Sequence, residues 1–214
     1  MRYLRRCQGT ASYLVLLLAT HIIVFRVLSS DERQRVLEAI STNLAAMNWT
    51  APFRLMASAL VVDTSGTVLD QILIVGLGIA VCLTWLEYRL GMIRAFGIFA
   101  TVHVLATLLV LAVVAFAVHT GRYPDEVRHD LDYGVSFGSI GAIGAVTWLL
   151  PKWARLPWAV VAVLYPLTAA TWYGWLPDYS TAGHVLSGAI GVALSGLVVR
   201  EARAHRTAPE VPRP

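Results

Sequence analysis

The chain has 214 residues, of which 57% are hydrophobic and 14% charged, against about 25% charged in an average soluble domain. A single soluble core of this size cannot bury so much apolar side chain, so lipid is the expected solvent for the excess. The formal charge of +4 does not point to nucleic acid, because the basic residues are scattered through short loops rather than gathered on one face.

Arg2, Arg5 and Arg6 precede an apolar run over 11–28. The run is long for a signal-peptide core and no small-residue cleavage site follows, so it reads as a retained first helix. The segment 29–71 is too polar to span a bilayer. Within it, Val36-Leu-Glu-Ala-Ile and Ala51-Pro-Phe-Arg-Leu-Met-Ala-Ser-Ala-Leu carry apolar residues at helical spacing, which predicts short helices lying on the outer leaflet. Asn48-Trp-Thr50 fits a glycosylation sequon, read here as chance. Apolar stretches then recur over 72–88, 93–118, 134–150, 157–176 and 181–199. Most approach the roughly 20 residues needed to cross a bilayer. The fourth is short and rich in small residues, which predicts a helix enclosed by others. Pro166 interrupts the fifth. The expected architecture is an all-α polytopic membrane protein of six transmembrane helices, one domain over 1–200, with a disordered tail over 201–214. Cys7 and Cys82 are not expected to pair.

Orientation follows from the loops. With the N-terminus inside, the cytoplasmic side collects Arg2, Arg5, Arg6, Arg89, Arg94, Lys152, Arg155, Arg200, Arg203, Arg206 and Arg213. The outer side receives Arg26, Arg33, Arg35, Arg54, Arg122 and Arg128, mostly in long loops that count less. Both termini are therefore expected in the cytoplasm of a multi-pass protein of the cell membrane.

Two span openings carry the candidate chemistry. The fourth begins Asp132-Tyr-Gly-Val-Ser136-Phe-Gly-Ser-Ile-Gly, and the sixth Thr181-Ala-Gly-His184-Val-Leu-Ser-Gly-Ala-Ile-Gly. Both run from outside to inside, which places Ser136 and His184 at similar depth. A hydroxyl beside an imidazole is the pairing of a serine–histidine dyad, in which histidine takes the serine proton and returns it to the leaving amine. Gly134, Gly138 and Ala142 recur every four residues on one span, and Gly183, Ser187, Gly191 and Ser195 on the other. Such small-residue ridges let helix backbones approach closely in lipid. They also serve plain packing, and a lone membrane serine commonly bonds its own helix.

Other polar residues read more simply. Asp132 lies one turn before Ser136, where it would cap the helix. His21 and His103, near the middles of two spans, have the residue type for haem ligation but no further support. His119, His129, Asp125 and Asp130 lack metal-site spacing. The tryptophans, Trp49, Trp85, Trp148, Trp153, Trp158, Trp172 and Trp175, fall mostly near span ends, as an interfacial belt would. No metal or cofactor is expected.

Four stretches resemble the rhomboid family of intramembrane serine proteases, in the family's order. Pro52-Phe-Arg-Leu-Met-Ala-Ser-Ala-Leu resembles the stretch before its second span, and Leu86-Glu-Tyr-Arg-Leu-Gly91 the L-E-x-x-x-G ending that span. Gly134-Val-Ser136 resembles the nucleophile motif. Gly183-His184, with Ser187 and Gly191, resembles the catalytic histidine and its small followers. The resemblance implies Ser136 and His184 as catalytic, a structural role for Glu87, and membrane-embedded segments of other proteins as substrates beside the lipid bilayer. This sequence departs from the family at the oxyanion positions of the second span, which fall on Gln71 and Val75; only Gln71 carries a donor. Phe137 follows the serine where the family often has Gly, and Ile140 stands where a tyrosine usually packs beneath the histidine. A catalytically silent relative that binds membrane helices is the alternative, and a small transporter a third.

Overall fold

The computed structural model describes residues 6–64 and 66–207, with side chains as far as Val199. Arg2, Arg5 and residues 208–214, named above, lie outside the described residues.

Helix α1 spans Gln8–Ile22 and continues as a wider π turn over Ile23–Val27. Two short helices follow, α2 (Ser30–Ile40) and α3 (Ala51–Ser58). Ser29 starts α2 through a capping box with Glu32, whose carboxylate accepts from the Ser29 backbone N–H. On α3, Phe53 and Met56 are exposed, and Trp49 stands just before it at 90% exposure, a face suited to an interface rather than to water. Helix α4 runs over Val68–Leu90, its middle wound with the wider i→i+5 turn over Ile72–Leu83. A second capping box, between Thr67 and Asp70, opens it.

Gly91, at φ +85, makes the sharp turn into α5 (Met92–His119), a conformation that side chains disfavour. Helix α6 covers Ser136–Ala145 and ends in a 3-10 turn to Leu149. Helix α7 (Lys152–Leu164) likewise tightens into a 3-10 turn over Tyr165–Ala169. A two-stranded hairpin, β1 (Trp172–Tyr173) with β2 (Leu176–Pro177), leads to α8 (Tyr179–Thr207).

Among the described residues, four helices are long and apolar enough to cross a membrane: Gln8–Val27, Val68–Leu90, Met92–His119 and Tyr179–Val199. The fifth apolar stretch differs from expectation. Its helix starts earlier, at Lys152, and the stretch is helical only to Ala169; Gly174, at φ +67, turns the remainder back as the hairpin. Helix α8 continues through Thr207, so residues 201–207 of the segment expected as a tail are helical.

The short α6 is the hub. Every residue from Phe137 to Ala145 is buried, and α4, α5, α7 and α8 all pack on it. Its glycines set the distances. A Cβ on Gly191 of α8 would lie 2.1 Å from the Gly141 carbonyl oxygen, and one on Gly144 would lie 2.3 Å from that of Gly188. The α6–α8 contact is therefore backbone on backbone. Gly138, expected at this seam, faces Phe99 of α5 instead, where a Cβ would lie 2.5 Å from the ring. Two tryptophans expected in the belt point inward: Trp148 donates to the Val192 carbonyl and Trp158 to that of Ile143, each at 2.8 Å.

At the opposite end of the bundle Glu87 is 2% exposed. Its carboxylate accepts from the Gly9 N–H at 2.9 Å, the Thr10 N–H at 2.7 Å and the Thr10 hydroxyl at 2.6 Å. It thus caps α1 from another helix, satisfying amides that a helix start leaves open.

Candidate active site

Helices α4, α6 and α8 begin at the same end of the bundle, and a cavity of about 360 Å³ opens among their first turns. Ser136, His184 and Gln71 all line it, together with Asp63, Asp70, Asp132 and Asp178.

Ser136 is positioned by the chain before it. Gly134, at φ +125, bends the backbone beneath Asp63. Its N–H donates to the Ser58 carbonyl at 3.1 Å, and the Val135 N–H to the Val61 carbonyl at 3.0 Å. The end of α3 therefore holds the two residues preceding the serine. Helix α3 is itself tied down from two spans. The Tyr13 hydroxyl of α1 donates to the Ala59 carbonyl, the Thr20 hydroxyl to that of Leu60, and His103 Nε2 of α5 to that of Leu55 at 3.0 Å.

His184 lies half-buried on the second turn of α8. Its Nε2 is shut off from solvent and has no hydrogen-bond partner. The ring meets Phe137 edge to face, with centroids 5.4 Å apart at 81°. Gly183 makes room for that ring, since a Cβ there would lie 2.2 Å from the Phe137 Cζ. Phe137, which stood out in the sequence only as a departure after the serine, is thus the residue that braces the imidazole. Ile140 lines the cavity, and Ser187 returns its hydroxyl to the Gly183 carbonyl within α8.

The structure brings Ser136 and His184 to one cavity without a hydrogen bond between them. The Gln71 amide donates to the Asp63 carbonyl. Asp132 does not cap α6, whose N-cap is Val135 with no side-chain bond. Instead its carboxylate accepts from the Thr42 hydroxyl at 2.8 Å, and its N–H donates to the Ser41 hydroxyl at 3.0 Å. Burial and then the neighbouring Asp63 carboxylate raise the Asp132 carboxyl above its ordinary range, while the Thr42 bond pulls it back. The capping role belongs to Asp178 on α8, which accepts from the Thr181 N–H at 3.0 Å and also holds the Thr171 N–H at the hairpin's start.

His21 stacks beside Phe25, and Asp125 pairs with Arg128 at 2.7 Å. Among the described residues no three His, Cys, Asp or Glu side chains gather as a metal site would require.

Apolar helices of spanning length around a polar cavity at their N-terminal ends define a helical membrane protein. The chain matches the rhomboid-like protein family over residues 2–204 and belongs to it. No curated protein and no solved structure matches the chain.

Proposed function

We propose that the chain is a rhomboid-type intramembrane serine endopeptidase that cuts segments of other membrane proteins near the outer leaflet. The observation that carries this reading is that Ser136 and His184, from two helices in backbone contact, line one polar cavity at the helices' N-terminal ends. In the reaction the Ser136 oxygen attacks the scissile carbonyl carbon and its proton passes to His184. The imidazolium then protonates the leaving amine, and a water admitted by the cavity hydrolyses the acyl-enzyme with His184 again as base. The N–H groups of Ser136, Phe137 and Gly138 begin a helix and have no acceptor within it, so they are available to the developing oxyanion. Gln71 adds a side-chain donor once its amide leaves the Asp63 carbonyl.

In this reading α6 and α7, each extended by its 3-10 turn, complete six spans, and both termini lie in the cytoplasm of a cell-membrane protein. At 1.5 Å per residue the 136–149 segment is roughly 21 Å long, short for a lipid-facing span but sufficient for one that other helices enclose. Water has to reach Ser136 through the cavity, because the bilayer core supplies almost none.

The test is covalent labelling of the purified protein by a fluorophosphonate serine probe, against Ser136→Ala and His184→Ala. Labelling that both substitutions abolish is the expected result. A second reading, a silent relative that binds membrane helices, is favoured by the unjoined Ser136 and His184 and by the committed Gln71 amide. Labelling absent from the wild type, with helix binding retained, would establish it.

A further inference from the structure

Resting on the proposed protease reading, we infer that the cavity selects membrane segments carrying a basic residue on their outer flank. Its carboxylates are Asp63 and Asp70 at the α4 entrance, Asp132 before α6 and Asp178 at the start of α8. No lysine or arginine lines it among the described residues. The hydrogen bonds that Asp70, Asp132 and Asp178 accept come from threonine hydroxyls and backbone amides, all neutral. Those bonds fix these three carboxylates in place without bringing a cation to them.

The walls suit a cation in a second respect. Tyr133, Tyr165 and Tyr179 line the same space, and a phenol ring can attract an ammonium or guanidinium group to its face. Asp63 accepts from the Tyr133 hydroxyl, again a neutral donor, and Arg33 of α2 acts on the same phenol without lining the cavity. Low-dielectric walls focus a field of one sign and raise the local concentration of the opposite charge by tenfold or more.

Such a field discriminates because outer flanks of membrane segments are poor in Lys and Arg. A segment with an outward basic residue is an uncommon one, and the cavity reads that feature beside the bond to be cut. An acidic flank would bring like charges together and be turned away.

The experiment uses three labelled peptides with one apolar 20-residue core and an outer flank of Lys-Lys, Gln-Gln or Glu-Glu. Binding is read by anisotropy to the full-length Ser136→Ala protein in nanodiscs of zwitterionic lipid, which keeps headgroup charge out of the comparison. Cleavage of the same peptides by the wild type is followed in parallel. The Lys-Lys peptide should bind about tenfold more tightly than Glu-Glu, and the gap should narrow in 0.5 M salt, a roughly 4 Å screening regime. In Asp63→Asn/Asp70→Asn the ratio should fall to within about threefold; the salt series on the unaltered cavity carries the same test should that double variant not fold. Equal binding of the three peptides, or a preference indifferent to salt, overturns the inference. Cleavage of all three alike overturns it and leaves the protease reading intact. Salt-sensitive binding of Lys-Lys without any cleavage upholds the selection and removes the protease.

Discussion

The α6–α8 seam has no slack, so one methyl group should open it. In Gly191→Ala the new carbon would lie 2.1 Å from the Gly141 carbonyl oxygen and 3.0 Å from the Gly141 Cα. Ordinary contact begins near 3.4 Å, so the oxygen and the methyl must part by roughly 1.3 Å along that line. Both partners are helix backbone, which cannot rotate away as a side-chain tip can. Overpacking of this kind costs about 1–3 kcal/mol, or a Tm lower by about 2–12 °C for a chain of this size. Because Ser136 and His184 sit on the two displaced helices, labelling of Ser136 should slow as well; misplacement of about 1 Å can cost a hundredfold. Gly97→Ala is the control, since its Cβ meets nothing within 4 Å, and a glycine removed from a helix favours the fold by about 0.5–1 kcal/mol. Thermal unfolding in detergent reads both variants. A Gly191→Ala protein as stable as the wild type, or a Gly97→Ala protein as damaged as Gly191→Ala, would refute the seam as described.

Glu87→Gln should lower stability by about 1–3 kcal/mol, because two backbone amides and a hydroxyl lose their shared carboxylate, while labelling per folded molecule stays at the wild-type level. Loss of labelling in a fully stable Glu87→Gln protein would show a chemical role instead. Asp132, with its carboxyl raised in the folded state, binds a proton more tightly folded than unfolded. Its contribution is therefore most favourable at low pH and declines as pH rises through the ordinary carboxylate range towards the folded value. Asp132→Asn should accordingly be more stable than the wild type at pH 7, with the gain shrinking as the pH is brought down to about 4; a gain independent of pH would contradict this. His103→Phe removes the Nε2 bonds to the Leu55 carbonyl and the Ser58 hydroxyl together with a buried Nδ1 that has no partner, and Ser58 keeps its own bond to the Leu55 carbonyl. These effects oppose each other, so stability should change by less than about 1 kcal/mol, while hydrogen exchange at Gly134 and Val135 should quicken as α3 loosens. Unchanged exchange would break that chain of contacts. Reporter fusions after Gly121 and after Pro214 should fall on opposite sides of the membrane; the same side for both would remove the six-span arrangement.

The four long helices were legible because their apolar runs match a bilayer's thickness, and the buried α6 because its small residues could only pay their way among neighbours. The hairpin over 172–177 was not. Averaged hydropathy counts Trp172, Tyr173 and Trp175 as span, and only Gly174 between them marks the turn. The glycine seam was legible in kind but not in register. A four-residue step turns the helix by about 400°, so the ridge drifts by roughly 40° each time, and on a helix enclosed on all sides Gly138 and Gly141 face Phe99 and Val102 of α5, while Gly144 and the Gly141 carbonyl meet α8. The site was half visible. Ser136 and His184 could be named from their span openings, whereas the acidic lining could not, because Asp63 and Asp70, Asp132, and Asp178 come from three distant stretches of chain whose convergence depends on the whole bundle.

Glu87 has a consequence for the order in which the chain is assembled. The first helix emerges with the Gly9 and Thr10 amides open, and the carboxylate that closes them lies 77 residues beyond Thr10. At synthesis rates of about 5–20 residues per second, that interval lasts roughly 4–15 s. During it water at the membrane surface must serve the two amides. The N-terminal end of the first helix is fastened only when the second long helix has been made and has packed beside it to deliver Glu87.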